Sequence, residues 1–398
     1  MAGAEFSDAA VPRELLRRRA YNLRWAQQPD DVIPLTAADS DFPVSPAVRE
    51  RLTQFVADGL FNYGPPEGLP EFRATLAQWY TERRGVPYEP TAVLATDSAA
   101  AAMTVVARAS LAPGDEVLIP DPVDFLFEHA IRRAGAIPVR VPLAPKTTAT
   151  DYVAALGARL TSRTRMVWLC NPHNPWGTVP TRRWLQAVAR WAVRHRLRLL
   201  SDEVWADITY PPHRCTSVAA LAPEIAAQTV TIYGFSKNFA LAGLRVGAVL
   251  CTDPTWREEI VTAADVRSTA AGVSVLSQVA AVAAMQAGEP WLAEFLSHLR
   301  KQRDLVLGRL RRWPGVATRP PQGTFVAFPD LSRLDPDAEH LCQHFEHKAK
   351  VALVPGSPRW FGPGAAGHVR ISFATSREIL TEAFDRLDPV VFELASGR

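Results

Sequence analysis

Between about Ser98 and Leu250, short apolar β-rich runs alternate with helical patterns. That alternation confines the chain to βαβ units and a mostly parallel sheet. The predicted strands are 116–119, 165–170, 197–201 and 229–233. Each is followed by residues suited to a site as well as to a turn: Asp121-Pro122, Asn171 to Gly177, Asp202-Glu203 and Ser236-Lys237. In an open parallel sheet, ligands bind beyond the carboxyl ends of the strands, so four loops converge on one place.

With 398 residues, the chain exceeds one average domain. The organisation expected is an N-terminal arm over 1–45 that joins the small domain, a large domain over 46–288 and a small α+β domain over 289–398. The last begins with a charged helical stretch at 291–312 and continues through TFVAF, a Pro- and Gly-rich segment at 355–367, and HVRISF. The Pro-rich segment 142–145 reads as a loop. The Ala-rich stretch 270–287 carries Ser and Gln and reads as a buried helix, so no membrane span is expected. Composition is that of an ordered globular protein, 47% hydrophobic and 21% charged. The balance of 44 basic against 41 acidic residues, with no basic stretch interleaved with aromatics, gives no indication of a nucleic-acid surface. Four dispersed cysteines without a CxxC pair, and an N-terminus lacking an apolar core and cleavage site, predict a cytoplasmic protein.

Lysine is scarce: Lys146, Lys237, Lys301, Lys348 and Lys350 are the whole set. Lys237 alone follows a buried strand among aromatics, in YGFSKNFALAGLRVG, where desolvation would free its amine to form a Schiff base. Asp202, at the end of another apolar strand, suits a protonated heteroaromatic nitrogen, although an acid at a strand end is usually just a helix N-cap. Together the two point to pyridoxal 5′-phosphate, which needs both partners. The run 96–102 opens a helix whose first amides, at Ser98 and Ala99, suit a phosphate, with Arg245 as countercharge. The Asn171-Pro-His-Asn-Pro-Trp-Gly177 loop could aim Asn174 at a ring hydroxyl, or be only a turn. Arg370 in HVRISF could hold a substrate carboxylate, or form a surface ion pair.

The ordered set NPHNPWG, SDEVW and SKNFALAGLRVG resembles the fold-type I pyridoxal-phosphate enzymes of the class I/II aminotransferase family, from about Tyr21 to Asp388. AADSDFPVSPAVRE, SDEVWADITYPPHRCTSVAAL and the NPHNP loop resemble the cystathionine β-lyase-like C-S lyase subgroup. The resemblance implies an α/β transferase with a seven-stranded, mostly parallel sheet and a small α+β domain. It implies Lys237 as the lysine carrying the cofactor, Asp202 at the ring nitrogen, Asn174 at the ring hydroxyl, Ser98, Ala99 and Arg245 around the phosphate, and Ser236 among the cofactor-binding residues. It also implies a homodimer in which Tyr63 reaches the neighbouring phosphate, with Ala38 and Arg370 binding the substrate. Asp124 stands where the family has a ring-stacking aromatic, with Phe125 one residue on as the alternative stacker. Trp205 replaces a Tyr or His beside the ring hydroxyl, and Gly234 replaces a phosphate-binding Ser.

The leading expectation is β-elimination from an S-substituted cysteine, giving a thiol, pyruvate and ammonia. If the substrate carboxylate stood perpendicular to the ring, carbon dioxide would leave and oxygen would convert the carbanion to an aldehyde. Relatives acting on cysteinyl conjugates in sulfur-containing, lincosamide-type antibiotic pathways divide between these outcomes. Transamination and a non-catalytic pyridoxal-phosphate regulator are the remaining alternatives, the latter opposed by the presence of Lys237, Asp202, Asn174, Arg245 and Arg370 together.

Overall fold

The computed structural model describes residues 6–397. Its centre is a seven-stranded sheet: β1 (Val93–Thr96), β2 (Glu116–Asp121), β3 (Ile137–Pro142), β4 (Thr164–Cys170), β5 (Arg198–Asp202), β6 (Thr229–Gly234) and β7 (Gly247–Cys251). The spatial order is β1-β7-β6-β5-β4-β2-β3, and β7 is antiparallel to both of its neighbours while the other pairs are parallel. All four predicted strands are present, each within two residues of its expected ends.

These strands are apolar at nearly every position because both faces of the sheet are covered. Val117, Ile119, Met166 and Trp168 pack on one face with the helix Ala99–Ser110, and Leu118, Val167 and Leu169 pack on the other with Leu185 and Val188. Successive side chains thus divide between two cores, as the two-residue period of a strand requires. The chain leaves β2 toward β3 on one side and continues from β4 to β6 on the other. The crevice between the ends of β2 and β4 is therefore the topological switch point where such sheets bind ligands.

Beyond the sheet, the expected charged helix spans Glu289–Leu310, with a proline in its first turn where no amide is needed. The helix predicted from residue 270 begins at Val275 instead, because Thr269 and Gly272 take positive φ angles of 63° and 149° that interrupt it. The short strand Val369–Ser372 lies between Val326–Ala327 and Val354–Pro355. Ile33–Pro34 pairs in parallel with Val351–Ala352, which ties the N-terminal segment to this C-terminal sheet region. The four cysteines are buried and unpaired, and no described helix is long and apolar enough to cross a membrane.

Candidate active site

Lys237 lies in the turn after β6, and its Nζ donates to the carbonyl of Ala38. The same Nζ is 5.5 Å from the ring centroid of the buried Trp205, which packs edge-on to Phe325. Burial lowers the Lys237 pKa, the charge of Asp39 opposes that shift, and Arg370 adds to it. The result is an amine with more of its nucleophilic, neutral form at neutral pH. The 34–41 segment that reaches it is anchored by a buried ion pair between Arg24 and Asp41, with Trp25 Nε1 donating to Asp41 at 3.0 Å and Arg24 to the Pro34 carbonyl at 2.9 Å.

Asp202 ends β5 and is buried; its Oδ1 accepts from the Val204 amide at 3.1 Å. Burial pushes its carboxyl up to about 7, and the charges of Asp124 and Glu203 act in the same direction. Glu203 beside it is fully hydrogen-bonded by Ser201 and Ser217 at 2.9 Å and by Tyr80 at 3.2 Å, so its role is to brace the strand end.

Across the switch point, the loop after β4 meets the loop after β2. Asn174 Nδ2 donates to Asp124 Oδ2 at 3.0 Å, while Asp124 Oδ1 accepts from the Leu126 amide at 3.2 Å and so caps the helix Phe125–Arg133. In this structure the Asn174 amide is therefore engaged by Asp124. The Phe125 ring lies edge-on to Trp360 at 5.7 Å and is 38% exposed. Asp124 as N-cap fixes the register of the helix and so the direction of this next side chain.

Arg370 is buried, with its guanidinium carbon 5.1 Å from the Phe361 ring centroid. Its Nη2 donates to the Thr36 carbonyl at 3.3 Å, and its Nη1 donates to Asn174 Oδ1 at 3.4 Å and lies 4.0 Å from Asp124 Oδ2. Its Nε has no hydrogen-bond partner among the described residues. A buried cation with long contacts and an unused donor is suited to a planar anion such as a carboxylate.

At the opposite end of the site, Ser98 caps the helix Ala99–Ser110 by accepting from the Ala101 amide at 3.0 Å. Arg245, exposed in the single chain, donates to Ser98 Oγ at 3.0 Å. A Cβ on Gly247 would come within 2.8 Å of the Ala99 nitrogen, so glycine lets β7 pass directly behind this helix start. Gly234 has a similar cause: a Cβ there would meet Val204 Cγ2 at 2.8 Å and Ala99 Cβ at 3.3 Å, which leaves no room for a serine. Ser236 is partly buried beside Lys237. Tyr63 is 94% exposed in a groove with Phe61 and Val275.

The pattern described as Aminotransferase class I and II matches residues 30–387. The chain belongs to this family. It is similar to an aspartate aminotransferase of Pyrococcus horikoshii, 30% identical over 378 residues that cover 94% of this chain and 93% of that protein. The structure of an aromatic aminotransferase from Pyrococcus horikoshii OT3 superposes with a TM-score of 0.84 at 31% identity, covering 92% of this chain and 97% of that one. Cystalysin from Treponema denticola, which contains a pyridoxal 5′-phosphate cofactor, shares the fold with a TM-score of 0.87 at 23% identity, covering 95% and 97%.

This class I/II aminotransferase-family enzyme is thus a fold-type I, pyridoxal-phosphate-dependent protein. Its residues fit that group. Asp202 is a buried carboxylate lacking a full countercharge, the helix start at Ala99 has amides with no acceptor within the helix, and Arg245 stands beside it. Three contributors to the aminotransferase-family site escaped the sequence: Asp39, the Thr36 carbonyl and the Phe361 ring. Asp39 could have been found in the AADSDF stretch next to Ala38. The other two are set by tertiary contacts and carry no local signal.

Proposed function

We propose that this enzyme binds pyridoxal phosphate on Lys237 and cleaves the C-S bond of an S-substituted cysteine by β-elimination. Asp202 would face the ring nitrogen, Asn174 the ring hydroxyl, and Ser98, Ala99 and Arg245 the phosphate, with Ser236 and Trp205 also holding the cofactor. The bound cofactor supplies an electron sink for a carbanion at Cα. Arg370 holds the substrate carboxylate, and the Ala38 carbonyl orients the Lys237 amine. Lys237 Nζ, freed once the substrate amine takes its place, takes the Cα proton, and the electron pair left on Cα expels the thiolate from Cβ. Addition of water to the remaining unsaturated amino acid yields pyruvate and ammonia.

The observation that carries this reading is the position of the Ala38–Asp39 turn over the Lys237 amine. That turn lies in AADSDFPVSPAVRE, one of the three stretches that resemble the C-S lyase subgroup. A second reading, decarboxylation followed by oxidation to an aldehyde, draws on the 4.0 Å approach of Asp124 to Arg370. A carboxylate already beside the guanidinium loosens its hold on the substrate and lets the substrate carboxylate rotate out of plane. The names of the relatives favour a third, transamination.

One experiment separates them: mass spectrometry of the products formed from an S-substituted cysteine with and without oxygen. Thiol and pyruvate in both atmospheres support elimination. An oxygen-dependent product lacking the carboxylate and nitrogen, or a 2-oxo acid with its C-S bond intact, overturns it in favour of the second or third reading.

We further propose a homodimer, with Tyr63 reaching the neighbouring phosphate site. Leu60, Phe61 and Tyr63, at 73%, 62% and 94% exposure, form an apolar surface that a second copy would cover. A monomer in sedimentation at micromolar concentration would refute it.

A further inference from the structure

We infer that Asp124 and Asp39 make this site select against a substrate bearing a second carboxylate, and for a side chain that brings hydrogen-bond donors or positive charge. The inference deepens the S-substituted cysteine reading by specifying the substituent.

A count of charges leads to it. Arg245 is committed to Ser98 and the helix start at the phosphate end. Asp202 is matched to the ring nitrogen, and Lys237, the neutral base of the proposed elimination, donates to the Ala38 carbonyl and brings no positive charge to the substituent. Arg370 remains as the guanidinium facing the substrate, and the α-carboxylate of any amino acid takes up its charge. Asp124 and Asp39 are then left without countercharge. Asp124 lies within reach of the substrate: its Oδ2 is 3.0 Å from Asn174 Nδ2 and 4.0 Å from Arg370 Nη1, and its side chain is 24% exposed. Its negative charge acts on Asp202, Lys237 and Arg370 alike. Asp39 adjoins Ala38, which binds the Lys237 amine. On the rim, Phe125 and Trp360 are apolar, and Arg359, stacked on Trp360 with 5.0 Å to the centroid, is exposed to water where its charge is screened. A distal carboxylate on the substrate would thus meet like charge in a partly desolvated pocket, which is unfavourable. An ammonium or a hydroxyl-rich group would meet acceptors.

The test titrates the holoenzyme with S-(2-aminoethyl)cysteine, S-(2-hydroxyethyl)cysteine, S-carboxymethylcysteine and aspartate, following the visible absorbance of the bound cofactor to obtain Kd. The carboxymethyl compound and aspartate should bind at least about tenfold more weakly than the hydroxyethyl compound, with the aminoethyl compound equal to it or tighter. Asp124→Asn keeps an oxygen to cap the helix and should bring the carboxymethyl compound to within about threefold of the hydroxyethyl one. Asp39→Asn should shift the ratio the same way, and it decides the matter alone if the first variant does not fold. A purely structural role would move all four constants together and leave their ratios intact. Equal or tighter binding of the carboxymethyl compound by the unaltered enzyme, or ratios unchanged in the folded variants, overturns the inference. Because the readout is binding, absence of thiol release with the charge order intact removes only the elimination reading. Thiol release without the charge order removes only this one.

Discussion

The Lys237 amine donates to the main-chain carbonyl of Ala38, joining two segments 199 residues apart. One is the turn after a central strand; the other is the N-terminal segment anchored by Arg24 and Asp41. The Lys237 amine is therefore oriented by backbone that folds with the C-terminal sheet region.

Lys237→Ala should bind pyridoxal phosphate without the absorbance band of the lysine-bound cofactor, and turnover should fall by about 10²–10⁴-fold. Visible spectroscopy and steady-state kinetics check both. A retained band would move the attachment site elsewhere.

Arg370→Lys should raise KM for the amino acid by about tenfold or more while changing kcat less. An ammonium can neither span a carboxylate in the plane of a guanidinium nor keep the Phe361 contact and the Thr36 hydrogen bond at once. Kinetics with one amino-acid substrate separate the two parameters.

Asp202 gives a pH dependence whose sign is set by its raised pKa. In the cofactor-free protein, burial lifts its carboxyl from 3.8 to about 7, so the native state keeps a proton that the unfolded chain has released. This site's contribution to stability falls as pH rises from about 4 to about 7. Asp202→Asn should remove that slope and stabilise the cofactor-free protein at pH 8 by up to roughly 4 kcal/mol, at about 1.36 kcal/mol per unit. Urea unfolding at pH 5 and pH 8 measures it. With cofactor, the order should reverse if Asp202 pairs with the ring nitrogen as proposed.

Gly247→Ala should destabilise the protein by about 1–3 kcal/mol and weaken cofactor retention. The added carbon would lie 2.8 Å from both the Ala99 nitrogen and the Ser98 carbonyl carbon, which are backbone atoms that cannot turn aside. Thermal denaturation and cofactor content after dialysis test the two effects.

Much of the candidate site is legible in the sequence. Lys237 stands out because lysine is scarce, and Asp202 and the 171–177 loop because each ends an apolar run. Strands buried on both faces announce themselves as such runs, and their carboxyl ends locate the crevice. The edge strand Ile137–Pro142 was not recognised: it holds two prolines, and its exposed and half-buried positions weaken the apolar signal.

The sequence by itself determined the fold class, the candidate lysine and the strand ends that surround it, because periodicity and residue type are local properties. Only the tertiary structure decided what Asp124 does. From sequence it is an aspartate in the place of an aromatic ring. In the fold it caps one helix, engages Asn174 from another loop and lies 4.0 Å from Arg370, which is 246 residues further along the chain. Electrostatic neighbours of that kind are set by how distant segments pack, and charge acts through space without regard to the path of the chain.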